Sequence, residues 1–334
     1  MERFCRACIT IGRQASIVVL SATSLVSASL AQQAVTRNAA SGADCQFASS
    51  TPGTRLMAGE CSSPTSVAVA ETGNPYELNQ LGITSALVLG SGRSITDARK
   101  WFEKSAGQGY APAQVNLGVL YANGWGTPQN FGAALYWLKA GADRGSARAK
   151  TNLGILYLKG WGVKQDYEEA LHYFRSGAEG EDAGAMVNLG FMSDSGLGVA
   201  VDHAEAAEWY RKAAERGDPL GQNNLADLYL RGEGVPQNDA VALAWFQKAA
   251  ENGNTGARIK LGYMYATGRA IRKDAESAYI WILAASLAGD RRGLGYVSAL
   301  EAQLTPEQLA RAKERARELQ ATPPVSVGEI AFVQ

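Results

Sequence analysis

The sequence predicts an all-α fold: a solenoid of six helical hairpins closed by C-terminal capping helices. Three observations predict it. Residues recur in register every 36 positions between 74 and 289. Two sets of helix-capping residues appear once per period. Glycine supplies 37 of 334 residues, against an ordinary share of about 7%, and much of the excess falls at fixed places in the period. Repeats of this length are supersecondary units that bury their apolar faces only by stacking on one another.

Composition narrows the function classes. There are 32 basic and 32 acidic side chains, 46% hydrophobic residues and 19% charged residues. This excludes a wholly disordered polyelectrolyte and a multi-pass membrane protein. It also argues against nucleic-acid binding through bulk positive charge.

Residues 1–31 read as a secretory signal. Arg3, Arg6 and Arg13 form a basic n-region, and Ala15 to Leu30 is apolar and small. Ser29-Leu30-Ala31 has the small-x-small form of a cleavage site, placing the cut after Ala31. No integral membrane span is expected after cleavage, and the expected location is periplasmic or secreted. The alternative is a retained anchor. Cys5 and Cys8 have redox spacing but sit in the n-region. Residues 32–73 read as a flexible arm, rich in Ala, Ser, Thr and Gly. Cys45 and Cys61 lie within it. In an oxidising compartment they predict a disulfide, whose 16-residue loop would contribute about 3 kcal/mol. Two free thiols are the alternative.

The repeat occupies 74–289. Leu81, Leu117, Leu153, Leu189, Leu225 and Leu261 form one column. Gly82, Gly118, Gly154, Gly190 and Gly262 follow it, with Ala226 in the remaining unit. Tyr121, Tyr157, Tyr229 and Tyr265 form another column, from which Ser193 departs. Ala98, Ala134, Ala170, Ala206, Ala242 and Ala278 precede an aromatic column of Trp101, Trp137, Tyr173, Trp209, Trp245 and Trp281. The glycines are expected to admit a neighbouring helix, and this aromatic column to fill the wider gap.

Each unit splits into helix A and helix B. Asn74, Ser146, Asp182, Asp218 and Asn254 precede helix A and can accept from its free N–H groups; Tyr110 in that column cannot. Ser94, Asn130, Asp166, Asp202, Asn238 and Asp274 precede helix B. A glycine turn joins the two, as in Gly124-Trp125-Gly126 and Gly160-Trp161-Gly162, where positive φ ends helix A. Gly268 keeps only the first glycine. After helix B come Gly109, Gly145, Gly180, Gly217, Gly253 and Gly289.

These columns resemble the Sel1-like repeat family, relatives of the tetratricopeptide repeats. The family motif runs Leu-Gly-x-x-Tyr-x-x-Gly-x-Gly-Val, then Asp, then Ala-x-x-Trp-Tyr-x-Lys-Ala-Ala. It stands nearly complete at 149–178 and 221–250, and Trp209-Tyr210-Arg211-Lys212-Ala213-Ala214 matches closely. The resemblance implies a right-handed superhelix that binds a partner. Some members of the wider family carry a disulfide in each repeat and are linked to β-lactam binding. This chain has no cysteine between 74 and 289.

Beyond the array, Asp290 occupies the helix A cap column once more, and a capping helix is expected over 291–303. Thr305-Pro306-Glu307-Gln308 is a capping box that should start a last helix ending near Gln320. Residues 290–320 are thus the capping region, and 321–334 an extended tail.

No enzyme motif stands out: there is no G-x-S-x-G elbow, HExxH pair or phosphate loop. No catalytic residue, metal ligand or cofactor is expected. His172 and His203, the only histidines, read as surface residues.

Binding is the better question. By the family resemblance helix A lines the concave face. There Asn116, Asn152, Asn188 and Asn224, followed by Lys260, precede the Leu column. Asparagine offers both a donor and an acceptor, and in peptide-binding relatives it holds a ligand's backbone. The alternative is that these amides bond across to the next repeat. Ile155, Phe191, Asp227 and Tyr263 are neighbouring groove candidates, with Val115, Val119 and Val187. Trp125 and Trp161 form a second candidate patch at the turns, unless they fold back on the array. The expected function is an exported, non-catalytic scaffold for a protein or peptide partner. The resemblance implies roles in envelope assembly, signalling or exopolysaccharide regulation. The alternatives are a glycan-binding module using the two tryptophans, or a β-lactam-binding envelope protein.

Overall fold

The computed structural model describes residues 73–87 and 92–321. The signal segment, the arm with Cys45 and Cys61, and the tail from 322 lie outside the described residues. Fourteen α-helices, one 3-10 helix and no strands occur among the described residues.

The hairpins are α1 (Pro75–Leu87) with α2 (Gly92–Gly107), α3 (Ala111–Asn123) with α4 (Phe131–Asp143), and α5 (Ala147–Lys159) with α6 (Tyr167–Glu179). They continue as α7 (Ala183–Ser195) with α8 (His203–Glu215), α9 (Pro219–Arg231) with α10 (Asp239–Glu251), and α11 (Thr255–Thr267) with α12 (Ala275–Leu287). A 3-10 turn at Arg291–Gly293 then leads to α13 (Leu294–Glu301) and α14 (Pro306–Ala321).

The caps set these boundaries. The Asn130 and Ser146 side chains accept from Ala133 N and Ala149 N, and Asp182 and Asn254 do the same for α7 and α11. Tyr110 makes no side-chain cap, as expected. Two boundaries depart from the sequence reading. The first helix B begins at Gly92, ahead of Ser94. The helix expected over 291–303 is divided, with Asp290 capping the 3-10 turn and α13 following it. The capping box forms: Thr305 N donates to Gln308 Oε1 at 2.9 Å, and Gln308 N to Thr305 Oγ1 at 3.3 Å.

The packing differs from expectation in one column. The side chains pressed on the helix A glycines are not the Trp101–Trp281 column. They are the next residues along: Phe102, Leu138, Phe174, Tyr210 and Ile282, with Phe246 in the same column packing in the cluster of Ala226, which replaces the glycine there; all six are buried. The Trp column is half-buried, and lysines three residues on lie over it, Lys212 Nζ 4.1 Å from the Trp209 ring and Lys248 Nζ 4.3 Å from Trp245. Gly180 also differs. Its φ is −84°, and Glu181, at φ 63°, takes the left-handed position that glycine holds in the other units. Gly180 instead lets α5 approach, since a Cβ there would lie 2.5 Å from Ala147 Cβ.

At the C-terminal end α12 packs against α13 and α14. Arg258, 3% exposed, donates to Ala250 O at 3.0 Å and to Leu319 O at 2.9 Å. Burial pulls its guanidinium pKa down to about 10. Tyr279 donates to Glu301 Oε1 at 2.6 Å.

Candidate functional site

Successive A helices, from α1 through α3, α5 and α7 to α9, approach one another, while the B helices make no comparable approach. The A helices therefore form the inner side of the array, and the candidate binding column lies there.

The structure fills that inner side more tightly than the sequence reading allowed. Asn116 and Asn188 are 0% exposed, Asn152 6% and Asn224 9%. Val115, Val119, Ile155, Val187 and Phe191 are buried in the main core cluster. They do not line an open apolar groove in hairpins two to four. The physical reason is the close approach of the A helices, which leaves side chains of successive hairpins filling the space between them.

The amides differ from one another. Asn116 Nδ2 donates to Asn79 Oδ1 of the preceding hairpin at 3.1 Å. Asn188 Nδ2 donates to Gly184 O at 2.8 Å. Asn224 Oδ1 accepts from Asn223 Nδ2 at 3.0 Å. Two amide atoms are left over: Asn152 Nδ2 and Asn188 Oδ1 are buried with no hydrogen-bond partner.

The column changes character toward the C-terminus. Lys260 replaces asparagine, pairs with Asp227 and reaches Asn223 Oδ1 at 3.3 Å. Its Nζ lies 5.4 Å from the Phe246 ring. Asp227, Lys260 and Tyr263 are only partly buried, so the inner face turns polar and less tightly covered in hairpins five and six.

The tryptophans of the turns pack back onto the array. Trp161 stacks on Phe131 of the preceding hairpin, with centroids 5.6 Å apart at 19°. Trp125 is half-buried against the core. One face of Trp161 is therefore covered. Between the first two B helices is an open depression of 610 Å³ lined by Gln114, Tyr136, Trp137 and Arg144.

His203 is not the plain surface residue the sequence suggested. It is half-buried, and its Nδ1 lies 2.8 Å from Asp194 Oδ1. The signal was present in the repeat itself: Asp194 departs from a column that is Ala or Leu in every other unit, and Ser193 beside it from one that is Tyr in four. No helix among the described residues is long and apolar enough to cross a membrane.

Comparison with known proteins agrees with this architecture. The Sel1 repeat model matches six units, at residues 79–110, 111–146, 147–182, 183–218, 219–254 and 256–290. A Sel1 repeat protein from Oxalobacter formigenes is 29% identical, with a TM-score of 0.57, over 80% of this chain and 97% of that one. A protective antigen of uropathogenic Escherichia coli displaying an SLR fold is 26% identical, with a TM-score of 0.43, over 78% of this chain and 64% of that one. No curated protein matches. Sel1 repeat proteins generally act as scaffolds for protein–protein interaction, and the fold is typically non-catalytic. Six consecutive matched units, each folded as a capped helical hairpin, place the chain in the Sel1 repeat family.

Proposed function

We propose that this chain is an exported, non-catalytic scaffold that holds an extended segment of a protein partner along the inner side of its array. The observation that carries the reading is the leftover amide pair, Asn152 Nδ2 and Asn188 Oδ1. One is a donor, the other an acceptor, and they occupy the same column one repeat apart. A peptide backbone supplies the complementary acceptor and donor whatever its side chains. A buried polar atom without a partner costs about 1–3 kcal/mol, which a bound backbone would recover. Reaching these atoms requires neighbouring inner-face side chains to give way. The partly buried Asp227, Lys260 and Tyr263 extend the same face with polar and charged groups. Export is supported by the order of basic, apolar and small residues in 1–31.

The test is affinity capture from envelope extract with mass spectrometry, comparing the chain with its Asn152→Ala/Asn188→Ala variant. Far-UV circular dichroism checks that the variant keeps its helicity. A protein retained by the wild type and depleted about tenfold or more by the variant supports the reading. Equal capture by both overturns it.

A further inference from the structure

The joints between successive hairpins share one construction but not one chemistry. In hairpins two to five the first residue of helix B lies at the joint with the central turn residue of the next hairpin. Between hairpins two and three this is Phe131 stacked on Trp161. Between three and four the equivalent positions hold Tyr167 and Leu197, both half-buried against the core, with Tyr167 Cβ closing on Gly198 of the turn. Between five and six it is Asp239 and Arg269, joined by two hydrogen bonds of 2.7 Å. The residues at each of these joints match in kind: two rings, two largely apolar side chains, an anion with a cation.

The joint between hairpins four and five is different. Its pair is His203 and Glu233, and a third group enters from the end of α7. Asp194 stands where the other repeats have Ala122, Leu158, Leu230 or Ala266. Beside it, Ser193 replaces the tyrosine of four other units, which removes a ring and leaves its Oγ bonded to Glu205 Oε2 at 3.0 Å. One ligand atom from each of Asp194, His203 and Glu233 lies within 4.8 Å of the other two. All three residues are half-buried. Glu233 Oε2 is buried and accepts no hydrogen bond, although Arg231 Nη1 is 2.7 Å away as an ion pair. The joint thus gathers two carboxylates and an imidazole against one guanidinium.

We propose that Asp194, His203 and Glu233 form a binding site for a divalent transition-metal ion of the zinc class. Ions of this class take mixed nitrogen and oxygen ligands, whereas magnesium and calcium favour oxygen alone. Three protein ligands leave a further position for water. Nδ1 of His203 now faces Asp194; the ion would take the place of the proton between them, with the imidazole proton carried on Nε2 instead. Asp194 and His203 belong to hairpin four and Glu233 to hairpin five, so the ion would staple the two hairpins across their joint. Arg231 competes for Glu233, and its removal should tighten binding.

The test is zinc titration by calorimetry on the metal-stripped full chain, alongside His203→Gln, Asp194→Asn and Glu233→Gln. His172→Ala serves as the control, and thermal melting of each variant confirms folding. The expected result is one site weakened about tenfold or more in each triad variant and unchanged in His172→Ala. Zinc at about 100 times the dissociation constant should lower the unfolding equilibrium constant about a hundredfold in the wild type. A background from the four cysteines outside the array would be the same in every variant and is subtracted; what counts against the triad is wild-type binding that persists in full in all three triad variants. Such persistence, an absence of binding, or magnesium binding as tightly as zinc would each overturn the proposal.

Discussion

Gly190 on α7 lies against the ring of Tyr210 on α8. A Cβ at Gly190 would sit 2.7 Å from two atoms of that ring. The ring is 2% exposed, and burial drives its phenol pKa well above the ordinary value. Neither side can give way cheaply. Gly190→Ala is expected to destabilise the chain by about 1–3 kcal/mol through overpacking, read as a lower urea midpoint with unchanged slope. An equal midpoint would show that the hairpin tolerates a wider helix spacing.

Among the described residues, two that are not glycine occupy left-handed backbone positions, Glu181 at φ 63° and Ala270 at φ 60°. Glycine holds the matching place in other repeats. For an L-residue this conformation costs about 1–2 kcal/mol, partly offset by the greater flexibility of glycine when unfolded. Glu181→Gly and Ala270→Gly should each raise stability by about 0.5–1 kcal/mol. Glu181 also pairs with Arg216 at 3.2 Å, but its side chain is 79% exposed, and losing such a pair should matter little. Thermal melting of the single variants checks both.

The Asp239–Arg269 joint predicts a pH dependence. Two hydrogen bonds from Arg269 hold the Asp239 carboxyl below its ordinary pKa. A depressed folded-state value means the stabilisation is present above the unfolded pKa, near 4. It is lost as pH falls through the lower folded-state value. Asp239→Asn should therefore be less stable than the wild type at neutral pH, and the gap should close in acid. A gap independent of pH in denaturant titrations would contradict this.

Asn116 and Asn79 predict a contrast within the inner column. Their hydrogen bond is buried, so Asn116→Ala would leave Asn79 Oδ1 without its donor, at a cost of about 1–3 kcal/mol. Asn152→Ala removes an Nδ2 that has no partner, so it should cost less. Chemical denaturation of the two variants measures the difference, and a larger loss at Asn152 would refute the assignment.

The repeat made the fold legible. A 36-residue register, with cap residues at two fixed offsets, located the hairpins because capping is a local property of the backbone. The finer packing was less legible. The Phe102–Ile282 column is in register too, but nothing in the linear pattern says which of two adjacent large residues faces the glycine; that depends on helix rotation. The inner-face asparagines were found by spacing, while their burial was not, because it depends on how closely successive A helices approach. His203 was missed for a related reason. One histidine is uninformative alone, and its partners come from residue 194 and from the next hairpin.

The C-terminal helices have a consequence for assembly. In a stacked array every hairpin offers its open side as a template for another of the same shape. α13 and α14 occupy that side of α12, held by Arg258 bonding to Leu319 and by Tyr279 bonding to Glu301. The two helices therefore work as an end-plate: they cover the apolar face that a seventh hairpin would otherwise have to bury.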